Sequence, residues 1–133
     1  MPRVSAMSAY ASKSDQLQLR LIAFAAKAVE ISAKLPRTAQ GRHICSQILR
    51  SGTSTAANYA EARGAESRVD FVHKLRIVLK ELNETAVWLQ LISQCSLLAG
   101  ELPTPLIAEN QELCRIIAAS VKTARQGVAG LDN

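Results

Sequence analysis

The stretch FVHKLRIVLKELNETAVWLQLI, residues 71–92, decides the fold. Apolar side chains return at Phe71, Leu75, Val78, Leu82, Leu89 and Ile92, and Thr85 keeps the same phase. Spacings of three and four therefore persist over about six turns, which is the signature of a helix with one buried stripe and excludes the two-residue alternation of a strand. Ser67 with Asp70 three residues on supplies a capping pattern at the start, and Gly100 is the expected stop.

Working outward, Pro and Gly divide the rest of the chain into three more segments of the same kind. The first opens after Ser12 to Asp15 and ends at Lys34 and Leu35, because Pro36 disfavours helical geometry in the residue before it. Its seam is Leu17, Leu21, Phe24, Ala28, Ile31 and Leu35. The second runs from Thr38 to Arg63, with Gly64 as a left-handed terminator, on a seam of Ile44, Ile48, Ser51, Thr55, Asn58 and Ala62. The last starts at Thr104, tolerates Pro105 in its first turn, carries Leu113, Ile117, Ser120 and Ala124, and frays near Gly127. Four helices joined by short connections predict an all-α, antiparallel up-down-up-down four-helix bundle. One domain over residues 1–133 is expected, with flexible ends at about 1–12 and 128–133.

Composition agrees. The chain has 133 residues, 48% hydrophobic and 20% charged, and only two Phe, two Tyr and one Trp, so its core must be aliphatic. Cys45, Cys95 and Cys114 are odd in number and widely spaced, a pattern of reduced, buried thiols rather than a disulfide framework. No apolar run is long enough for a signal peptide or a membrane span, so a cytoplasmic protein is expected.

The second segment differs from the others, because RSGTSTAANYAEA places small residues where a bundle usually places Leu. Small residues permit close helix contact, within one chain or between chains. Asn58 and Glu61 have two readings: Asn58 fixes helix register while Glu61 pairs with an Arg, or both belong to an oligomer contact. Glu84 has a surface pair with Lys80 as its simplest role. Trp88 lies beside the main seam, where it either completes the core or plugs a contact between protomers.

The run from Lys34 to Ile92, with LPR, QILRSGTSTAANYAEAR, SRVDFVHKL and LKELNETAVWLQLI, resembles the bacterial four-helix-bundle family first described from 23S rRNA intervening sequences. Its landmarks are Arg50, Ser54, Asn58, Ala60, Glu61, Phe71, Glu81, Leu82, Glu84, Trp88 and Leu89. That family includes the accessory variability determinant of diversity-generating retroelements. The resemblance implies a basic homopentamer that binds a reverse transcriptase and its RNA. Tyr59 and Ala62 depart from the family pattern, which more often has a small aliphatic residue and a glycine there.

Charge points the same way independently. Sixteen Lys and Arg against eleven Asp and Glu give +5, which favours anionic partners. Lys13, Arg20, Lys27 and Lys34 recur every seven residues, about 10 Å apart along the helix, and could follow a phosphate backbone. The competing reading lays their stems over apolar surface and pairs them with Glu on the next helix. A second set, Arg37, Arg42, Arg50, Arg63 and Arg68, surrounds the second helix and is suited to bidentate phosphate contacts. The region after Gly100 has four acids and three bases, so nucleic acid, RNA or DNA, is expected on the first three helices. Without an aromatic platform, recognition should rest on backbone and shape.

No enzyme is expected. A di-iron bundle needs two Glu-x-x-His pairs, and the chain has none; Asp70 with His73 is its nearest approach, and His73 points away from the seam. His43 beside Cys45 lacks the second pair a zinc site requires, and neither a phosphate-cradling glycine loop nor a Ser, His and Asp constellation is present. No metal or cofactor is expected. The two readings left are a nucleic-acid-binding accessory oligomer and a protein-interaction scaffold without direct nucleic-acid binding.

Overall fold

The computed structural model describes residues 12–100 and 103–131, and these form four helices in an antiparallel four-helix bundle: α1 (Lys13–Lys34), α2 (Ala39–Arg63), α3 (Arg68–Gln94) and α4 (Thr104–Leu131). The expected flexible ends up to residue 11 and at residues 132–133 lie outside the described residues. Each start is set by a side chain that answers a free backbone N–H. Ser12 and Asp15 cap each other reciprocally at α1, Thr38 Oγ1 accepts from the Gly41 N–H at α2, and Ser67 Oγ accepts from the Asp70 N–H at α3.

The ends depart from the sequence expectation. Leu35 is extended (φ −70°, ψ 147°), as the residue before Pro36 must be. Gly64 is not left-handed (φ −95°); instead the Gly64 and Ala65 N–H groups donate to Glu61 and Ala62, tightening the last turn so that no left-handed residue is needed. α3 stops at Gln94, six residues before Gly100. There Ser96 takes the left-handed conformation (φ 51°), its N–H donates to the Ser93 carbonyl and the Leu97 N–H to the Ile92 carbonyl, which is a Schellman closure without glycine. At the far end α4 does not fray at Gly127 but continues to Leu131, with Gly127 packed beside the Arg68 guanidinium.

The core is aliphatic and continuous. Leu21, Phe24 and Ala28 from α1, Ile48 from α2, Leu75, Val78, Leu82 and Leu89 from α3, and Leu113 and Ile117 from α4 are at most 1% exposed. Each of these side chains other than Ala28 contributes about 1.5–3 kcal/mol of burial. In α2 the buried residue is Tyr59 rather than Asn58, and in α4 it is Val121 rather than Ser120; Phe71 is only half-buried. Of the thiols expected to be buried, Cys45 and Cys114 are half-buried and Cys95 is exposed, because the early end of α3 places it at the C-cap; all three are free.

The small residues of α2 act within the protomer. A Cβ on Gly52 would stand 2.6 Å from the Ala28 Cβ, so glycine is what lets α1 and α2 approach here. Its neighbours meet α3 with paired hydroxyls: Thr85 Oγ1 and Ser51 Oγ share a hydrogen bond of 2.8 Å, and both residues are fully buried. Thr85 also reaches the Glu81 carbonyl at 2.7 Å, and Thr55 donates to the Gly52 carbonyl at 2.8 Å. α3 is tied to α4 by Asn110, which is 1% exposed and donates from Nδ2 to the Leu82 carbonyl at 3.0 Å. Of the four neighbouring helix pairs, α1 and α4 touch least, and an open groove runs between them.

Gly52→Ala is expected to destabilise the bundle by about 1–3 kcal/mol through overpacking. Ala28→Gly in the same chain should recover part of that loss, because it removes the clashing methyl. Denaturant midpoints for the two single variants and the double variant measure the coupling; strictly additive losses would show that the two methyls do not meet.

Candidate nucleic-acid interface

The structure separates the predicted basic residues into those that neutralise carboxylates and those that do not. Arg20 grips Glu109 of α4 with two hydrogen bonds, Nε to Oε2 at 3.1 Å and Nη2 to Oε1 at 2.6 Å, and so spans the open α1–α4 groove. Lys27 pairs with Glu30 one turn on, at 3.0 Å. Lys13 and Arg20 flank a shallow depression with Leu17, Tyr59 and Ile116, and Lys27 and Lys34 line the groove of about 380 Å³ over Phe24, Ile31 and Leu106. The heptad stripe on α1 is therefore real as a line, but its middle is occupied by ion pairs.

The second predicted set is not one patch. Arg42 and Arg63 are 21 residues apart on α2, about 31 Å along the axis. Arg37 and Arg42 lie at the α1–α2 turn, where Arg42 Nη1 donates to the Arg37 carbonyl at 2.9 Å. Arg63 sits at the other end and bridges to α1 through Asp15 (2.7 Å) and Gln18 (2.6 Å). Arg50, midway, is a structural clamp: it donates to Glu84 at 2.6 Å, Glu81 at 3.3 Å and Gln47 at 3.2 Å. Glu84 thus pairs across helices with Arg50 rather than along α3 with Lys80. The Arg50 guanidinium holds the Glu84 carboxyl below its ordinary value, as Arg63 does for Asp15 and Arg115 for Glu112.

The four residues assigned to structural or oligomer contact all engage their own chain. Asn58 Nδ2 donates to the Ser54 carbonyl of its own helix at 2.8 Å, so it does not bridge helices as expected of a register-fixing residue. Glu61 pairs with Lys74 of α3 at 3.3 Å, not with an Arg. Trp88 packs against the core and stands edge-on to His43 of α2, with ring centroids 5.8 Å apart and planes at 84°. Its Nε1 is buried with no acceptor among the described residues.

Of one further basic surface, sequence reasoning named only Arg68. Asp15, Glu30, Glu61, Glu81, Glu84, Glu109 and Glu112 each hold a cation, whereas Arg68, Arg76, Lys122 and Arg125 have no carboxylate partner among the described residues. Arg68 lies beside Gly127 of α4. Arg76 is one heptad before Asn83, whose side chain meets Cys114 of α4, so both share the α3 flank facing α4. Lys122 and Arg125 are eight and eleven residues past Cys114, on the α4 flank facing α3 or just outside it. Together they line the lower half of the α3–α4 side. The missed signal was that the acids of α4 precede its last two bases, so a count over the whole region hid the asymmetry. Burial pushes the Cys114 thiol above its ordinary value, so it stays protonated at neutral pH beside this surface.

Among the described residues no group of three or more His, Cys, Asp or Glu is gathered, and no helix is long and apolar enough to cross a membrane. The fold and its paired and unpaired charges define a basic four-helix bundle built around the α2–α3 contact. The chain belongs to the 23S rRNA-intervening sequence protein family, whose model matches residues 16–119. A solved structure with the same fold is that of a protein with unknown function from the S23 ribosomal protein family of Bacteroides thetaiotaomicron VPI-5482. It is 33% identical, with a TM-score of 0.76 over 84% of this chain and 99% of that one. None of the curated proteins matches the chain.

Because the folded pKa of Glu84 is lowered, its contribution to stability is present above about pH 4.5 and is lost as pH falls through the folded value. Glu84→Gln should lower the melting temperature at pH 7, and the gap from the parent protein should narrow on acidification to about pH 3. Melting followed by circular dichroism at each pH tests this; a constant gap would exclude the Arg50 pairing as its source.

Proposed function

We propose that this protein is a non-enzymatic, homo-oligomeric accessory factor that binds RNA or DNA through the phosphate backbone. The observation that carries the reading is the set of bases on the α3–α4 side without carboxylate partners among the described residues. A cation already paired must break that pair to bind a phosphate, whereas Arg76, Lys122 and Arg125 have no carboxylate to give up among the described residues. Arg68 to Arg76 covers eight residues, about 12 Å, which is long enough to contact several successive phosphates. Lys13, Arg37 and Arg42 extend the basic surface to other edges, and oligomerisation would repeat all of it.

Family membership is compatible with an RNA setting, and the resemblance to the retroelement accessory determinant supports a reverse transcriptase as the enzyme served. With few exposed aromatics, sequence preference should be weak and shape should dominate.

Binding to labelled structured RNA and duplex DNA across a salt series tests the reading. For the parent protein, affinity should fall steeply with salt. Replacing Arg76, Lys122 and Arg125 together by Glu should weaken binding at least about tenfold and flatten the salt slope by about three, since each phosphate contact contributes nearly one unit. Arg20→Ala, which removes a base already paired, should change affinity by no more than a few-fold. Equal losses for both variants would return the site to α1, and no binding at low salt by the folded protein would assign the basic surface to an acidic protein partner.

A further inference from the structure

Helix α1 is apolar on two opposite sides. Leu17, Leu21, Phe24, Ala28, Ile31 and Leu35 face the core, while Leu19, Ile22, Ala26, Val29 and Ala33 form a second line at strict three–four spacing, about 160° away around the helix. That outer line is solvent-exposed: Leu19 is 47%, Ile22 48% and Val29 44% accessible. A helix apolar on both faces is normally covered on both.

The neighbouring helix continues the surface. On the outer side of α2 stand Leu49, which is 40% exposed, then Thr53, Ala57 and Ala60, again three or four apart. The Gly52–Ala28 contact holds the two helices side by side. Neither line contains an ionisable residue, in a chain that is 20% charged. The charges at its rim, Glu30, Arg50, Glu61 and Arg63, are each held in an ion pair, with Lys27, Glu84, Lys74 and Asp15 respectively. The Thr53 hydroxyl donates to the Leu49 carbonyl at 2.6 Å, so covering it strands no polar group.

We infer that the outer α1–α2 face is the surface through which copies of this chain associate. This rests on the self-association in the proposed function and assigns it a place. Two copies of a molecule with a charge of +5 repel one another over most of their surface, and a face without charge is where they can meet. A nucleic acid or an acidic partner would be recognised by charge, which this face lacks. Its length from Leu19 to Ala33 is about 21 Å and its width over two helices about 20 Å, a flat footprint of roughly 400 Å² per copy. Over two copies that is about 800 Å², short of the roughly 1,200 Å² of a stable specific interface, so the contact has to take in the rims of the face as well.

The test is the mass of the full chain by light scattering over a concentration series, with helicity followed by circular dichroism. The parent protein should be heavier than one chain. Ile22→Glu and Ala57→Glu should each shift it to single-chain mass with unchanged helicity, while Val87→Glu, on the exposed side of α3, should leave the parent mass. A parent protein of single-chain mass throughout, retention of the parent mass by both face variants, or dissociation by Val87→Glu alone would overturn the assignment. So would loss of helicity in both face variants, which would mean that the face is packed within the protomer. RNA binding on the same samples keeps the two ideas apart: a single-chain protein that binds RNA sinks the self-association and this face with it but leaves the nucleic-acid reading standing, and a dissociable oligomer that does not bind sinks only the nucleic-acid reading.

Discussion

The arrangement depends on missing side-chain volume in the middle of α2. Gly52 leaves no Cβ to hold α1 away, and Ser51 and Thr55 are small enough for α3 to close over them. Close approach carries a polar obligation, because buried hydroxyls need partners. The Ser51–Thr85 pair and the Thr55 bond to its own helix meet it. Once α2 is fixed to both neighbours, α4 has only to lie along α3, where Asn110 and the aliphatic ridge hold it. The less tightly closed α1–α4 side is spanned by the Arg20–Glu109 pair.

The same geometry governs which charges are available. Helices packed antiparallel bring the start of each against the end of its neighbour, and this is how Arg63 finds Asp15 and Lys74 finds Glu61. Cations along the α2–α3 contact are absorbed in the same way, since Arg50 is clamped between Glu81 and Glu84. What remains to attract anions is set less by the number of bases than by where the acids stop. On α4 they stop at Glu112, which Arg115 takes up, and Lys122 and Arg125 farther on have no carboxylate partner among the described residues.

The fold was legible because its main signal, apolar return every three or four residues, is the one that burial enforces. Helix starts were equally clear, since Ser12, Thr38 and Ser67 act through local bonds. Ends were harder: Gly64 and Gly100 invited a left-handed cap, yet one helix closed by tightening and the other used Ser96. The candidate site was only partly legible. Residues such as Arg20 and Arg50 look like binding bases in one dimension, and only the packed neighbour shows that a carboxylate already holds them. Asn110 was overlooked for the converse reason, because a polar residue in an apolar stripe shows its partner, the Leu82 carbonyl, only once α3 is in place.

Trp88 is the chain's one tryptophan, and it stands edge-on to His43 across the α2–α3 contact with its indole N–H shielded from water. Nature has placed the molecule's only strong near-ultraviolet fluorophore at the joint on which the bundle closes. Its emission colour and lifetime therefore act as an optical gauge of that joint, responding when α2 and α3 part and silent to events confined to the surface of α4.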